Sequence, residues 1–462
     1  MVRAEVLLGH PHRDFSAGVR RGVNGVRCGR HALTWRRSMT GRVLIVGAGA
    51  IGVTTALSVR RMGFDVTVVD SEEVAGAGCS HANAGLLAPS HAFPLTGMAN
   101  VRLGLQNMLN PTGPFRLAPR RQNAGWIPRF LAASTPGRVR KATRTLRLLC
   151  AAGAAGHAAL VDEGVPTSWV NSGMLDVFTD SENLALAQQS LRAHPLQPEY
   201  DALTQEQLSS RVPGLTGFSG GIFTPGDSYC DGGAYVAAIA AQAAREGVEF
   251  QFGTRVNRLA LKAEAVRGVD TAAGRVAADH VIVAAGSATK HLVRPTGLNL
   301  PLTSAKGYVI DLATGPDDPT MPIGLKSQMM VVTPYSSKVR LAGVLELVGE
   351  DKHIDEKRTK AMIGSAVDAL PQLAGREVLQ VWSGMRPCSA DGLPMIGRTH
   401  ADGLSVATGH GQHGLILAPV TAQIIAAQLA GRPGTPADVN PWQLSPARFT
   451  SGRRPIIRAA AG

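Results

Sequence analysis

The stretch from Arg42 to Asp70 constrains the fold of this chain more than any other. It reads RVLIVGAGAIGVTTALSVRRMGFDVTVVD, with Gly47, Gly49 and Gly52 in G-x-G-x-x-G spacing after a short apolar run. This spacing predicts a buried strand, a tight glycine turn and a helix whose N-terminal amides point at a pyrophosphate. A second apolar strand ends at Asp70, whose carboxylate is placed to accept hydrogen bonds from a ribose. The stretch therefore predicts a dinucleotide-binding site.

Three later segments also combine apolar strands or turns with small residues. SEEVAGAGCSHANAGLLAPS follows Asp70 directly and suits a backbone that runs close against a flat ligand. HVIVAAG ends a second apolar strand at Gly286. ATGHGQHG places a glycine-rich turn, 409–414, before a helix expected over residues 415–429. The nucleotide site is therefore expected to draw on early, middle and late parts of the chain.

Charge and cysteine content exclude several other classes of protein. The net charge is +13, and residues 1–38 carry eight arginines against two acidic residues. No basic patch is interleaved with aromatic residues, so no nucleic-acid partner is expected. The five cysteines are widely spaced without a C-x-x-C pair, which argues against a disulfide framework or a metal site and favours a reducing compartment. No apolar run reaches membrane-spanning length. We expect a cytoplasmic protein with at most peripheral contact with the inner face of the membrane.

The pattern of elements predicts an α/β fold in two interleaved domains. Residues 1–40 are expected to be a disordered or mis-started N-terminal extension. A Rossmann-like nucleotide domain is expected from residues 41–90, 224–300 and 377–440. Alternating patterns near residues 306–312, 328–332 and 339–342 indicate an antiparallel sheet. That sheet belongs to an α+β substrate domain, expected over residues 91–223 and 301–376.

Five motifs, in chain order, resemble the D-amino-acid oxidase superfamily of FAD-dependent oxidoreductases. They are RVLIVGAGAIG, SHANAGLLAPS, SAKGYVIDL, WSGMRPCSADGLPMIGR and ATGHGQHGLILAP. Within the superfamily the chain is most similar to bacterial D-amino-acid dehydrogenases, from residue 42 to about 450. The resemblance implies non-covalently bound FAD and oxidative deamination of D-amino acids to 2-oxo acids and ammonia. The hydride would pass from the α-carbon to flavin N5.

The resemblance and the glycine-rich segments together define the residues expected to hold FAD. They are Gly47, Ala48, Gly49, Ala50, Ile51, Gly52, Asp70, Ser80, Asn83, Ala84, Gly85, Val256, Ala285, Gly286, Gly409, Gly411, Gln412, His413 and Gly414. The amides of residues 411–414 would stabilise negative charge at the flavin N1 and C2 carbonyl. Cys388 lies two residues after Arg386 in the GMRPC segment, and we interpret it as a small buried residue rather than a covalent flavin attachment.

Two side chains are expected at the substrate. A substrate carboxylate beside the flavin needs a fixed bidentate cation, and Arg386 in GMRP is the candidate. The resemblance assigns that arginine to carboxylate binding. It also makes Tyr308, in KGY, a candidate second carboxylate ligand, although a half-buried strand tyrosine is an equal interpretation.

Several alternatives stay open at this stage. His413 departs from the dehydrogenase pattern, so the substrate could instead be glycine, sarcosine or a D-hydroxyproline-type amine. The chain could also be the flavoprotein subunit of a hetero-oligomeric amine or opine dehydrogenase, whose partner would carry the electron relay. The electron acceptor is expected to be oxygen, a quinone or another carrier.

Overall fold

The computed structural model describes residues 41–81, 83–98, 101–102, 113, 115–117 and 123–450. The N-terminal extension expected over residues 1–40 lies outside these residues.

Parallel and antiparallel strands dominate the described chain. The first ten strands are β1 (Arg42–Val46), β2 (Asp65–Val69), β3 (Leu86–Leu87), β4 (Phe115–Leu117), β5 (Met174–Phe178), β6 (Asp201–Thr204), β7 (Gly220–Thr224), β8 (Ser228–Tyr229), β9 (Glu249–Gln251) and β10 (Val256–Lys262). They are followed by β11 (Ala265–Thr271), β12 (Gly274–Ala277), β13 (His280–Val283), β14 (Leu302–Leu312), β15 (Ile323–Leu325), β16 (Met330–Tyr335), β17 (Lys338–Leu347), β18 (Val378–Ser389), β19 (Met395–Arg398) and β20 (Leu404–Thr408).

The helices connect these strands and cover the sheets. They are α1 (Ala50–Arg61), α2 (Ile127–Ala133), α3 (Pro136–Asp162), α4 (Ser181–Arg192), α5 (Gln205–Arg211), α6 (Gly232–Arg245), α7 (Thr289–Val293), α8 (Glu356–Ala369) and α9 (Ala418–Leu429). Across the described residues, no helix has both the length and the apolar composition needed to cross a bilayer.

A six-stranded sheet in the order β19-β20-β13-β1-β2-β9 carries the glycine motif. Its pairs are parallel except for β19 with β20. Val43 and Ile45 of β1 belong to one apolar cluster, whereas Leu44 and Val46 belong to another on the opposite face. Because both faces are covered, the strand is apolar at every position rather than alternating.

Two glycines allow helix α1 to start directly at the end of β1. Gly47 has a φ of +110°, and a Cβ there would lie 2.6 Å from the Ala284 carbonyl oxygen of the neighbouring strand end. A Cβ on Gly52 would lie 1.8 Å from the Gly47 carbonyl oxygen. The motif is therefore required by backbone packing as well as by any ligand.

A larger sheet of nine strands faces the first. Its order is β18-β14-β17-β16-β15-β5-β7-β6, with β4 also pairing with β17. Most pairs are antiparallel, as expected, while β15–β5 and β17–β4 are parallel. The mixed α/β architecture predicted from the sequence is confirmed.

Strand β18 shows where the expected domain boundaries differ from the sheets. Residues 377–440 were expected in the nucleotide domain, but Val378–Ser389 pairs along its length with β14 at the edge of the nine-stranded sheet. Its apolar residues are interspersed with polar ones and do not indicate which sheet it joins. The division of the other strands between the two sheets supports the interleaved two-domain organisation, which stays a prediction.

Helix α3 packs closely on the segment that leads into α9, and Gly153 makes this possible. A Cβ on Gly153 would lie 2.0 Å from the Ile416 carbonyl oxygen. Gly153→Ala is expected to lower the free energy of unfolding by about 1–3 kcal/mol, because the helices must move apart. Urea denaturation measures this.

Gly364 in α8 is the matched control, since it is exposed and a Cβ there meets nothing within 4 Å. Gly364→Ala should leave stability unchanged or raise it by up to about 1 kcal/mol through helix propensity. Equal effects of the two substitutions would contradict the packing argument.

Candidate active site

A cavity of about 1310 Å³ lies between the two sheets. Val46, Val69, Ala284 and Ala407, at the carboxyl ends of the parallel strands, line one side, and the nine-stranded sheet lines the other. Ligands of open α/β sheets bind outside these carboxyl ends. Because pockets for drug-sized ligands are roughly 300–1,000 Å³, this one has room for a dinucleotide together with a small substrate.

The glycine turn and the start of α1 form the nucleotide end of the cavity. Gly47, Gly49, Ala50 and Ile51 line it. Helix α1 has no side-chain cap from its Gly49 N-cap residue and no acidic residue in its first turn. Ser80 Oγ accepts the Ala50 N–H at 3.0 Å. This arrangement leaves a positive helix terminus facing the cavity, as a pyrophosphate site requires.

Asp70 lies at the end of β2, as the sequence predicts. Its carboxylate accepts hydrogen bonds from the backbone N–H groups of Ala48 and Glu72 and lines the cavity. The Ala48 side chain is buried, and neither Ala48 nor Gly52 lines the cavity. Each contributes to the shape of the glycine turn through its backbone. The ribose contact predicted for Asp70 stays a prediction.

The segment around Asn83 is held against the cavity from the nine-stranded sheet. Asn83 Oδ1 accepts the Gly85 N–H at 2.8 Å, so this side chain orders its own loop. Thr333 Oγ1 donates to the Ala84 carbonyl at 2.9 Å, and Arg340 Nη1 donates to the Asn83 carbonyl at 3.2 Å. Backbone at these positions is therefore fixed by strands β16 and β17.

Arg340 is itself held by a buried ion pair. Its Nε and Nη2 atoms donate to the two Asp311 carboxylate oxygens at 2.7 and 2.8 Å, and both side chains are at most 3% exposed. This bidentate geometry fixes the guanidinium plane and so the direction of its bond to the Asn83 carbonyl.

Arg386 reaches into the cavity from strand β18. Its guanidinium lies over Gly307 of β14, where a Cβ would be 2.4 Å from Nη2. Its Nη1 donates to the Val344 carbonyl at 3.2 Å. Val344 has a φ of +61°, which a β-branched residue rarely adopts and which accompanies an irregularity in the β14–β17 register. Gly307 and Val344 together shape the position of this cation.

No carboxylate of the described residues forms an ion pair with Arg386, whose side chain is half-buried in the cavity wall. A cation that faces a cavity without a protein counter-charge fits a ligand carboxylate. The structure places Arg386 in the wall of the cavity, and carboxylate binding by this residue stays a prediction.

The structure corrects the expectation for Tyr308. Its ring is fully buried on the opposite face of β14, and its hydroxyl donates to Glu346 Oε2 at 3.1 Å. Gly307 and Val309, its chain neighbours, line the cavity instead. Side chains alternate along a strand, so Tyr308 cannot share the face that Arg386 covers. It belongs to a buried polar network with Lys306 and Glu346.

The late glycine turn also differs from the expected geometry. Residues Gly411–His413 form a 3-10 turn, and α9 begins at Ala418 instead of residue 415. Gly411, Gln412, His413 and Gly414 line the cavity, but their amides precede the helix rather than forming its first turn. Gly409 lines a small neighbouring pocket together with Arg386.

The two histidines of this turn are buried and neutral. Burial lowers the pKa of His410 to about 3, and its Nε2 lies 3.0 Å from Thr421 Oγ1. Burial likewise lowers the pKa of His413 to about 4, and its Nε2 donates to the His91 carbonyl at 3.3 Å. Both imidazoles lie at the wall of the cavity without a positive charge.

Seven further residues that the sequence predicts at the cofactor lie at the wall of the cavity. Ser80, Asn83, Ala84, Gly85, Val256, Ala285 and Gly286 all line the cavity. Cys388 is buried, and burial raises the pKa of its thiol to about 12, which leaves it protonated. Sequence reasoning missed His91, Asp176 and Lys326, which also line the cavity. They come from three unrelated segments, and no motif or spacing in the sequence links them.

Comparisons with known proteins agree with this geometry. The model of the DAO family, described as FAD dependent oxidoreductase, matches residues 42–428. A D-amino acid dehydrogenase from Methylobacterium nodulans is 30% identical over 405 residues, covering 85% of this chain and 96% of that protein. D-amino acid dehydrogenase 2 from Pseudomonas aeruginosa is 32% identical over 404 residues, covering 86% and 96%.

Solved structures share the fold. Glycine oxidase from Geobacillus kaustophilus superimposes with a TM-score of 0.71 at 24% identity, covering 88% of this chain and 99% of that one. L-proline dehydrogenase from P. horikoshii gives 0.68 at 17% identity, covering 89% and 98%. With most of its length matched by the family, and with the glycine turn, Asp70 and the interleaved sheets in place, this chain belongs to the DAO family of FAD-dependent oxidoreductases.

Proposed function

We propose that this enzyme oxidatively deaminates D-amino acids to 2-oxo acids and ammonia. The observation that carries the proposal is Arg386, a cation without a protein counter-charge among the described residues, in the wall of the cofactor cavity. The two relatives that are about 30% identical over most of the chain are both named D-amino acid dehydrogenases. Together these favour an amino-acid carboxylate as the group that Arg386 binds.

The residues around the cavity fit FAD. The glycine turn and the start of α1 would take the pyrophosphate, and Asp70 would take the adenosine ribose. The small residues Ala84, Gly85, Gly411 and Gly414 at the cavity wall leave space for a flat ring system. When bound, FAD supplies the acceptor for the hydride that leaves the α-carbon.

Arg386 would bind the substrate carboxylate through two parallel N–H···O bonds. Its fixed position over Gly307 then sets where the α-carbon lies, and such positioning is the main contribution that a protein makes to a reaction of this kind. No side-chain base is required if the amine enters unprotonated. The imino acid that forms on loss of the hydride and the amine proton is hydrolysed by water to the 2-oxo acid and ammonia.

Arg386→Leu tests the assignment of the carboxylate site. The substitution should lower kcat/KM for D-alanine by about 10²-fold or more, mainly by raising KM, because a charged bidentate interaction is lost. The visible spectrum should still show bound flavin, since Arg386 is not expected to hold the cofactor. Ammonia and 2-oxo acid release, with oxygen or a quinone analogue as acceptor, measure the reaction.

Arg432→Leu is the matched control, because Arg432 is exposed and does not line the cavity. It should keep wild-type KM. An unchanged KM in Arg386→Leu would refute carboxylate binding by this residue. Release of products from glycine or sarcosine, with none from D-alanine, would favour a small or secondary amine substrate instead.

A further inference from the structure

A strongly basic surface lies at the corner between helices α2 and α3. No acidic residue occurs between Glu73 and Asp162, whereas this part of the sequence carries ten arginines and lysines. Five of them are exposed and lie in α2 and the first turns of α3. We name these five the basic corner: Arg129, Arg138, Arg140, Lys141 and Arg144. None of the five lines the cavity, and the function proposed above gives them no role.

The charge of the basic corner is not balanced by the described residues around it. None of the ion pairs among the described residues includes any of these five cations. Arg129 Nη1 donates to the Gly125 carbonyl at 2.8 Å, and Arg138 Nη1 donates to the Ala132 carbonyl at 2.7 Å. These two guanidinium groups thus bond to backbone oxygens rather than to carboxylates. Like charges on neighbouring turns repel one another, so an anionic partner would relieve this repulsion.

The first turns of α3 present three of the cations on one side. Arg140, Lys141 and Arg144 occupy positions i, i+1 and i+4, which fall within about 100° around the helix axis. Ala142 and Leu146 lie on the other side of the same turns and are buried. The three cations are therefore directed together towards solvent on a helix that the core holds in place.

Two exposed apolar side chains lie beside the cations. Leu131 in α2 is 48% exposed, and Met98 is 59% exposed. The Arg138 guanidinium bonds to the backbone of the residue after Leu131. The Gly97 N–H donates to Ser134 Oγ at 3.2 Å, which brings Met98 to the end of α2. Single exposed apolar side chains are common on protein surfaces, so these two are informative only because cations surround them.

A lipid surface matches this combination better than other polyanions do. At a bilayer surface, headgroup phosphates meet arginine and lysine while apolar side chains enter the boundary of the acyl chains. A single-stranded nucleic acid needs exposed aromatic side chains on which its bases stack, but Trp126 and Phe130, which flank Arg129 in the chain, are 3% and 4% exposed. An acidic protein would match the cations but would leave the exposed apolar side chains without a role.

We propose that the basic corner is a docking surface for a bilayer that contains anionic phospholipids, with Leu131 and Met98 entering the lipid boundary. The phosphates of the headgroups then supply the negative charge that the described residues do not. This proposal does not depend on the proposed function, since no residue of the basic corner lines the cavity.

Sedimentation with lipid vesicles tests the proposal on the full-length, FAD-loaded protein. One set of vesicles contains phosphatidylcholine alone, and the other contains phosphatidylcholine and phosphatidylglycerol in equal amounts. The wild-type protein should bind the anionic vesicles at least about tenfold more tightly than the neutral ones. The preference should fall as the salt concentration rises, because salt screens charges that are exposed to solvent.

A triple variant assigns the preference to the basic corner. Arg140→Ser, Lys141→Ser and Arg144→Ser together should weaken binding to the anionic vesicles by about 30-fold or more, because each lost cation near an anionic surface weakens binding severalfold. All three positions are exposed, so the variant should keep its bound flavin and the wild-type Tm.

A second triple variant is the matched control for net charge. Lys262→Ser, Lys357→Ser and Arg432→Ser remove the same amount of charge at exposed positions on other elements. This control should bind the anionic vesicles within about threefold of the wild type, because the cations that it lacks are not in the docking surface.

A pair of leucine variants tests the apolar part of the surface. Leu131→Gln should weaken binding to the anionic vesicles by about fivefold or more, because an apolar side chain no longer enters the lipid boundary. Leu186→Gln, at a 55% exposed position in α4, should bind like the wild type.

Each contrary outcome overturns the proposal in a different way. Equal binding of the wild-type protein to anionic and neutral vesicles would exclude lipid docking. Equal losses in the two triple variants, or no loss in the variant of the basic corner, would show that cations elsewhere in the chain carry the binding. A loss in that variant with no effect of Leu131→Gln would identify a purely electrostatic surface, as an acidic protein partner would use, and would refute insertion into lipid.

Discussion

The proposed site depends on one constraint: a guanidinium must face the cavity with no carboxylate from the described part of the chain to neutralise it. Arg386 meets this constraint through backbone features alone, since it lies over Gly307 and donates to the Val344 carbonyl. A side chain at residue 307 would displace the cation, and an ordinary β conformation at Val344 would turn its carbonyl away. A strained backbone position retained beside a functional group is a common feature of binding sites. In the proposed function, the carboxylate of the substrate would complete the charge balance that the described residues leave open at Arg386.

The second requirement is that the two sheets keep a fixed distance and orientation across the cavity. Arg340 and Asp311, both in the nine-stranded sheet, form a buried bidentate pair, and Arg340 then binds the Asn83 carbonyl of the segment that follows the nucleotide strands. Removal of one partner of a buried ion pair lowers the free energy of unfolding by about 3–5 kcal/mol, so this pair strongly favours the observed arrangement. On the other side, Gly153 lets α3 contact the Ile416 carbonyl and so supports the turn at 409–414. The wall formed by the nine-stranded sheet is therefore joined to the segment at Asn83 by a hydrogen bond from the Arg340 side chain to backbone.

The sequence predicts the parts of this site that local patterns determine. The glycine spacing at 47–52, Asp70 at a strand end and the strand at β14 follow from short-range sterics and periodicity, and the family resemblance placed Arg386. The sequence did not predict that Tyr308 faces away from the cavity. Nothing in an apolar strand shows which face of the sheet will line a cavity. The start of α9 was placed too early, since a 3-10 turn and a helix have similar composition. His91, Asp176 and Lys326 were missed because they come from three separate segments that become neighbours only in the folded chain. Long-range register is the information that local patterns lack.

The most direct test of the account is an anaerobic titration of the purified, FAD-loaded enzyme with the two enantiomers of alanine, followed by visible absorbance. The account predicts that D-alanine bleaches the oxidised flavin band and that L-alanine does not, as the proposed deamination of D-amino acids requires. Bleaching by L-alanine alone would contradict the proposed handedness. A flavin band that neither enantiomer changes would contradict the proposed deamination of D-amino acids while leaving the fold and cofactor in place.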